Sequence, residues 1–382
     1  DATSIWVDGK TKNNTDKNRE QMLQGIANGE IKVVCNRFVM REGIDCLDET
    51  TEILTEHGWR GIDDHWKVGD KVWTINKNTG SAELVPVDHF GSRARREDER
   101  MVTIKSQHVD IRVTEGHRIH HKYFDPDKGT KGGGKGRFSK NWIVSKASDL
   151  LDKRADYSLP LSAECEFPGT GLSCDWLRLL GWALGDGHVP ESPGPRMMSI
   201  YQKKPGYVGT CRQMLKRLGI PFKEYKKKSG CFEFTIQKKH WYPVLGKYWC
   251  KSISPELKTM TRAELRCLWS GLALSDGQLP KERSKSTRNP RICTSNKKMA
   301  EALAELCVVR GYACSIGKHR CTTTGRPYYN VCKRDSQFIT SRPSDPRAAK
   351  IAAEEVWRPE RVWCVANCND TIFIKRNGRI AC

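Results

Sequence analysis

Asp186 and Asp276 are the most informative carboxylates in this sequence, because each closes the same short phrase. Leu180-Gly181-Trp182-Ala183-Leu184-Gly185-Asp186-Gly187 returns as Ser270-Gly271-Leu272-Ala273-Leu274-Ser275-Asp276-Gly277, with Gly, Ala, Leu, Asp and Gly in register. Each copy places small residues four apart, Gly181 with Gly185 and Gly271 with Ser275, and positions i and i+4 share one face of a helix. Small residues on that face let two helices approach closely, and the Asp-Gly ending suits a helix terminus with glycine beyond it. Side by side, two such helices bring both aspartates to one end. Paired carboxylates there can hold divalent metal, and two-metal sites cleave phosphodiesters. The plain alternative, two ordinary amphipathic helices ending in Asp-Gly turns, suits one copy better than two in register.

The elements around the repeat must then build a platform for a long anion. Between residues 161 and 340 there are 31 basic and 14 acidic side chains, whereas residues 46–160 carry 20 and 19. Nearly all of the net charge of +21 therefore sits with the repeat, as a polyanion-binding segment requires. The repeated phrase resembles the LAGLIDADG homing endonucleases, in their single-chain form with two motifs. That resemblance implies two αββαββα halves, Mg²⁺ held by Asp186 and Asp276, and a saddle of strands lying on double-stranded DNA. Phe232-Glu233-Phe234-Thr235-Ile236 alternates as one of these strands, and Cys293–Asn296 followed by Met299–Val309 reads as a strand and helix. Lys251 opens Lys251-Ser252-Ile253-Ser254-Pro255, similar to the family's Lys-x-Ile-Pro block, and is the expected basic residue that helps neutralise the developing charge. Lys333 is a candidate for the second copy. Lys203, Lys204, Lys226, Lys227, Lys228, Lys238 and Lys239 are the expected phosphate contacts, trusted as a cluster.

A second set of chemical residues flanks this segment. Cys46 opens Cys46-Leu47-Asp48-Glu49-Thr50-Thr51-Glu52, and short β-like runs with Gly and Asp turns, including Val68-Gly69-Asp70-Lys71-Val72, continue to about residue 160. Thr114-Glu115-Gly116-His117 follows, and Arg361-Val362-Trp363-Cys364-Val365 and Asn369–Ile374 lie near the C-terminus. In order and spacing these blocks resemble an intein, a mainly-β Hint splicing domain in a horseshoe, interrupted by an endonuclease. The resemblance makes Cys46 the nucleophile. Its sulfur attacks the Asp45 carbonyl carbon, the C–N bond to Cys46 breaks, and a proton moves to the freed amine, leaving a thioester. His117 serves the departing nitrogen, Thr114 orients the peptide, and Cys364 assists as acid or base or carries a branched thioester. A minority subclass starts from the later cysteine, but it usually lacks Cys at the first position and carries Trp where this chain has Ile119, so the route through Cys46 is expected.

Residues 1–45 resemble a piece of the second RecA-like domain of superfamily 2 helicases, on Val7-Asp8-Gly9-Lys10-Thr11 and Arg41-Glu42-Gly43-Ile44-Asp45. They contain no Gly-x-x-x-x-Gly-Lys loop, so no ATPase activity is assigned. The expected layout is a multidomain chain: a short α/β helicase fragment at 1–45, a Hint domain at 46–160 and 341–382, and the endonuclease at 161–340. The chain stops at Ala381-Cys382 without the family's closing Asn, read as truncation a few residues early. No run of about 18 apolar residues suggests a membrane span. The 16 scattered cysteines read as reduced thiols, and a cytoplasmic monomer, microbial or phage-encoded, is expected. The leading function is self-splicing plus Mg²⁺-dependent cleavage of the uninserted helicase gene. The alternative is a basic domain that binds DNA without cutting it, and a helicase is the third class.

Overall fold

The computed structural model describes residues 45–125, 137–139, 141–151, 157–190, 197–250, 252–275, 277–278, 291–341, 350–354 and 356–382. The helicase-like piece apart from Asp45, together with Lys251 and Asp276, lies outside the described residues.

Five α-helices belong to the repeat segment: α1 (Cys174–Asp186), α2 (Pro205–Arg217), α3 (Lys238–Leu245), α4 (Arg262–Ser275) and α5 (Lys297–Val308). Local chemistry starts them. Ser173 Oγ accepts from the Trp176 amide at the head of α1. Thr261 and Glu264 bond reciprocally to each other's amides ahead of α4, at 3.2 and 2.7 Å, the capping-box arrangement. Asn296 Oδ1 accepts from the Met299 amide at α5.

The first half runs α1, strands Gly187–His188 and Met197–Gln202, α2, strands Phe222–Lys226 and Phe232–Gln237, then α3. This is the expected αββαββα order. The second half runs α4, strands Gly277–Gln278 and Arg291–Thr294, α5, then strands Ala313–Arg320 and Pro327–Arg334. It departs from expectation at its end, where the strand Phe338–Ser341 replaces a closing helix. The physical reason is pairing: Phe338–Ser341 lies antiparallel to Tyr157–Pro160, so the chain enters and leaves the repeat segment on neighbouring strands.

The two halves have equivalent four-strand sheets with different edges. In the first, Phe222–Lys226 is the outermost strand. Its counterpart Ala313–Arg320 pairs onward with Arg379–Ala381, which makes the second sheet part of a ten-stranded one reaching Glu52–Thr55 and Ala82–Pro86. One large core, built on Leu180, Trp182, Phe234, Trp241, Leu268 and Leu272, fills the space between helices and sheets. A second core, with Val102, Ile104, Ile111, Val113 and Trp363, serves the flanking strands.

One expectation about the cysteines is corrected. Cys174 and Cys267 form a disulfide with Cα atoms 5.2 Å apart. They meet because α1 and α4 pack side by side. The other described cysteines are free thiols.

Candidate functional sites

Cys46 immediately precedes the strand Leu47–Asp48 of a six-stranded antiparallel sheet ordered Lys350–Ala353, Met101–Lys105, Asp110–Thr114, Leu47–Asp48, Arg361–Ala366, His89–Ala94. Leu47 is opposite both Val113 and Trp363, so one residue back Cys46 falls between Thr114 and Cys364, in one row across the sheet. The Cys46 amide donates to Thr114 Oγ1 at 3.1 Å, and the Thr114 amide donates to the Cys46 carbonyl at 3.0 Å. The Cys46 peptide is thus held on both sides by one threonine. Asp48, two residues on, fixes the strand through Arg376 at 3.1 Å and a hydrogen bond from Thr51.

Cys46 is 2% exposed. Its thiol is pushed far above the ordinary range, first by a hydrogen bond with Cys364, then by burial. It rests protonated, so its attack needs a proton acceptor. His117 is positioned by a backbone bond from its amide to the Thr114 carbonyl at 2.9 Å. Burial lowers its pKa, against the raising effect of the Asp45 carboxylate and of a hydrogen bond with the Asp45 backbone. Its Nδ1 is enclosed and has no hydrogen-bond partner. A neutral imidazole beside the Asp45–Cys46 bond can take one proton without a change in its contacts. The Asp45 carboxylate is occupied by Arg118, whose amide and Nε both donate at 2.6 Å. The structure therefore gathers Cys46, Thr114, His117 and Cys364 at one peptide bond.

The second site rests on how closely α1 and α4 approach. A Cβ on Gly181 would lie 2.2 Å from the Leu268 carbonyl oxygen, and one on Gly271 would lie 2.1 Å from that of Arg178. Backbone meets backbone, with no room for a side chain. Cys174 meets Cys267 and, four residues on, Arg178 meets Gly271, so the helices run parallel. Both terminate at the same end, at Asp186 and Ser275. The glycine beyond the α1 terminus is not a left-handed cap. Gly187 has φ −93° and ψ 155°. Its need is space, since a Cβ would lie 2.1 Å from the Ala183 carbonyl, and Gly277 repeats this with Ala273 at 2.3 Å.

The C-terminal ends of α1 and α4 lie at the same end of the pair, where two negative helix termini favour a cation, and hard carboxylate oxygens such as those of Asp186 suit Mg²⁺. Asp186 closes α1 at this end, and the other expected ligand, Asp276, lies outside the described residues. Lys333 does not reach the helix ends. Its ammonium stacks over Tyr312 at 3.9 Å and Trp269 at 5.9 Å and pairs with Asp335 at 3.5 Å. Trp269 lies two turns before position 276, on the order of 10 Å along the helix.

The expected phosphate-binding lysines divide between two ends of the first sheet. Lys203, Lys204, Lys226, Lys227 and Lys228 cluster where Gln202, Phe232 and Lys226 pair, whereas Lys238 and Lys239 begin α3 at the opposite end. Lys227 is paired with Glu233 at 3.2 Å. The outward face between the ends carries residues that were not singled out: the row His188, Ser199, Thr235, Lys223 and the row Tyr201, Glu233, Tyr225. The signal was present, because alternation along Phe222–Lys226 sends Lys223 and Tyr225 outward together.

Residues 174–239, from the start of α1 into α3, match the family model for the LAGLIDADG-like domain. Among solved structures, the homing endonuclease I-DmoI in complex with DNA and Mn is 17% identical, with 42% of this chain and 89% of that chain covered and a TM-score of 0.31. Full-length DUF199/WhiA from Thermatoga maritima is 13% identical, over 43% of this chain and 54% of that one, with a TM-score of 0.31. No curated protein matches the chain. The segment from Cys174 to Lys239 carries a LAGLIDADG-like domain.

Proposed function

We propose that this chain is an intein-type self-cleaving element with an inserted DNA endonuclease, and that it has two separate active sites. The observation that carries the first activity is the grip on the Asp45–Cys46 peptide by Thr114 on one side and His117 on the other. In this reading His117 Nδ1 receives the thiol proton, the Cys46 sulfur bonds to the Asp45 carbonyl carbon, and the proton passes to the Cys46 nitrogen as the C–N bond breaks. Thr114 keeps the peptide oriented throughout. Cys364, in hydrogen-bond contact with Cys46, holds the thiol protonated until that transfer. The adjacent entry and exit strands at Tyr157–Pro160 and Phe338–Ser341 support residues 161–340 as the insertion, and the helicase-like residues 1–45 are the host piece.

For DNA, the support is the domain match together with the parallel glycine-faced helices. Asp186 and Asp276 hold Mg²⁺, which when bound supplies charge neutralisation and an activated water. Lys251 adds positive charge near the second aspartate. The end lysines and the outward Lys223 hold the backbone of a double-stranded target, the uninserted helicase gene, and a monomer suffices because both halves are in one chain. The test has two arms. Dithiothreitol should release a fragment ending at Asp45, and Cys46→Ala should abolish it. An unchanged fragment in Cys46→Ala refutes the nucleophile. Purified protein with Mg²⁺ should linearise plasmid carrying the target, and Asp186→Asn should not. Plasmid that is bound but left intact by the unmutated protein establishes the binding-only alternative.

A further inference from the structure

On the side of the ten-stranded sheet away from the helices, the row that starts at Gln278, two residues after position 276, collects cations, and none of them has a carboxylate partner among the described residues. Arg291 is opposite Cys332, Cys332 opposite Ser315, and Ser315 opposite Arg379, so these four share a row and a face. Arg334 is two residues beyond Cys332 and opposite Ala313, which puts it on the same face. The other face, with Ile292, Val331 and Ile316, packs into the helical core. His108, from the turn before Asp110–Thr114, has its pKa depressed to about 4, first by burial and then by the nearby charges of Arg334 and Arg379.

Arg334 is the anomaly. Its Nε and Nη2 are enclosed and have no hydrogen-bond partner. Burial pulls its pKa down and Arg379 adds repulsion, with only the Cys314 and Cys332 thiols opposing. Carboxylates of the adjoining six-stranded sheet are engaged elsewhere: Asp48 and Asp110 accept from Arg376, and Asp110 also accepts from Asn377 at 3.0 Å. Asp335 pairs with Lys333. An enclosed guanidinium without an acceptor is a costly arrangement, and two free N–H groups of one guanidinium are the fork that takes an oxyanion bidentately.

We propose that Arg334, Arg379 and His108, with Arg291 at the rim, form a binding site for a phosphate-class oxyanion at the junction between the repeat segment and the flanking strands. Two sources share this chemistry, a DNA backbone phosphodiester and free inorganic phosphate. The site does not depend on either proposed cleavage activity, since occupancy alone is read.

The test uses the full chain. Inorganic phosphate, compared with chloride at equal ionic strength, should raise the melting temperature in a saturable way. Arg334→Met should abolish that rise without lowering the melting temperature in chloride, because it removes an unpartnered charge. Should Arg334→Met fail to fold, Arg379→Gln repeats the comparison. Duplex DNA distinguishes the sources. A backbone phosphate in the site predicts that Arg334→Met lowers the slope of log affinity against log salt by about 1. Free phosphate predicts an unchanged slope with the saturable rise intact. No saturable rise together with an unchanged slope overturns the site, as does a rise that survives both substitutions.

Discussion

The contact between α1 and α4 can be tested with one methyl group. A Cβ on Gly271 would sit 2.1 Å from the Arg178 carbonyl oxygen, where ordinary contact begins at 3.4 Å. The shortfall is about 1.3 Å, and the obstacle is helix backbone, which cannot swing aside. In Gly271→Ala the helices must separate by on the order of 1 Å, an overpacking cost of about 1–3 kcal/mol. Better helix propensity returns about 1 kcal/mol. The net loss, up to about 2 kcal/mol, lowers the melting temperature by on the order of 2–4 °C per kcal/mol in a unit this large. Activity should suffer more. Asp186 lies five residues beyond Gly181, roughly 7.5 Å along the helix, so separation displaces the aspartates directly, and a 1 Å misplacement costs on the order of 100-fold in rate. Gly209→Ala in α2 is the internal control, since nothing lies within 4 Å of its Cβ position. It should be neutral or stabilising by up to about 1 kcal/mol. Thermal melts and Mg²⁺-dependent plasmid cleavage on both proteins decide the matter. A Gly271→Ala protein as stable and as active as Gly209→Ala would refute the close-approach reasoning.

Reduction, or Cys267→Ser, should destabilise the chain by about 2–5 kcal/mol, because Cys174–Cys267 closes a separation of 93 residues; an unchanged urea midpoint with and without reductant contradicts this. Thr114→Val removes the hydroxyl that accepts from the Cys46 amide. Losing that bond, worth about 1–1.5 kcal/mol, should slow thiol-induced cleavage before Cys46 up to about tenfold, and an unaltered rate shows that Thr114 does not orient the peptide. His120 has its pKa lowered from 6.5 to about 4, by burial first and then by Lys77 and Arg118. A lowered histidine takes up its proton first in the unfolded chain. Stability should therefore be full above pH about 6.5 and fall as pH drops towards 4. Melts across that window should flatten in His120→Gln, and an equal slope assigns the acid sensitivity elsewhere.

The first half of the repeat segment was legible because its signals are local. The Asp-Gly phrase and the strand alternation in Phe232–Ile236 both act within a few residues. The grouping of Cys46 with Thr114, His117 and Cys364 was legible from block order alone. Other features depend on contacts distant in sequence. Cys174 and Cys267 are 93 residues apart, and they meet only because α1 and α4 pack side by side, a long-range contact that neither cysteine's local sequence encodes. The strand at Phe338–Ser341, in place of a final helix, follows from its partner Tyr157–Pro160. Lys333 looked like a site residue until register placed it on the helix-facing side, beneath Tyr312. The lysine cluster was visible as composition, but only pairing divides it between two ends of a sheet.

The unequal edges of the two sheets have a practical outcome. Phe222–Lys226 is the last strand of its sheet and carries Lys223 and Lys226 exposed, the charges that discourage edge-to-edge association. Its twin has no such guard where Arg379–Ala381 covers it, since Ala313, Cys314, Ser315 and Ile316 are all buried. The repeat segment cut out as residues 161–340 would bare that buried edge and invite self-association. The last few residues of the chain therefore act as its solubility device, and a free-standing version needs either that strand supplied again or lysines written into the Ala313–Ile316 edge.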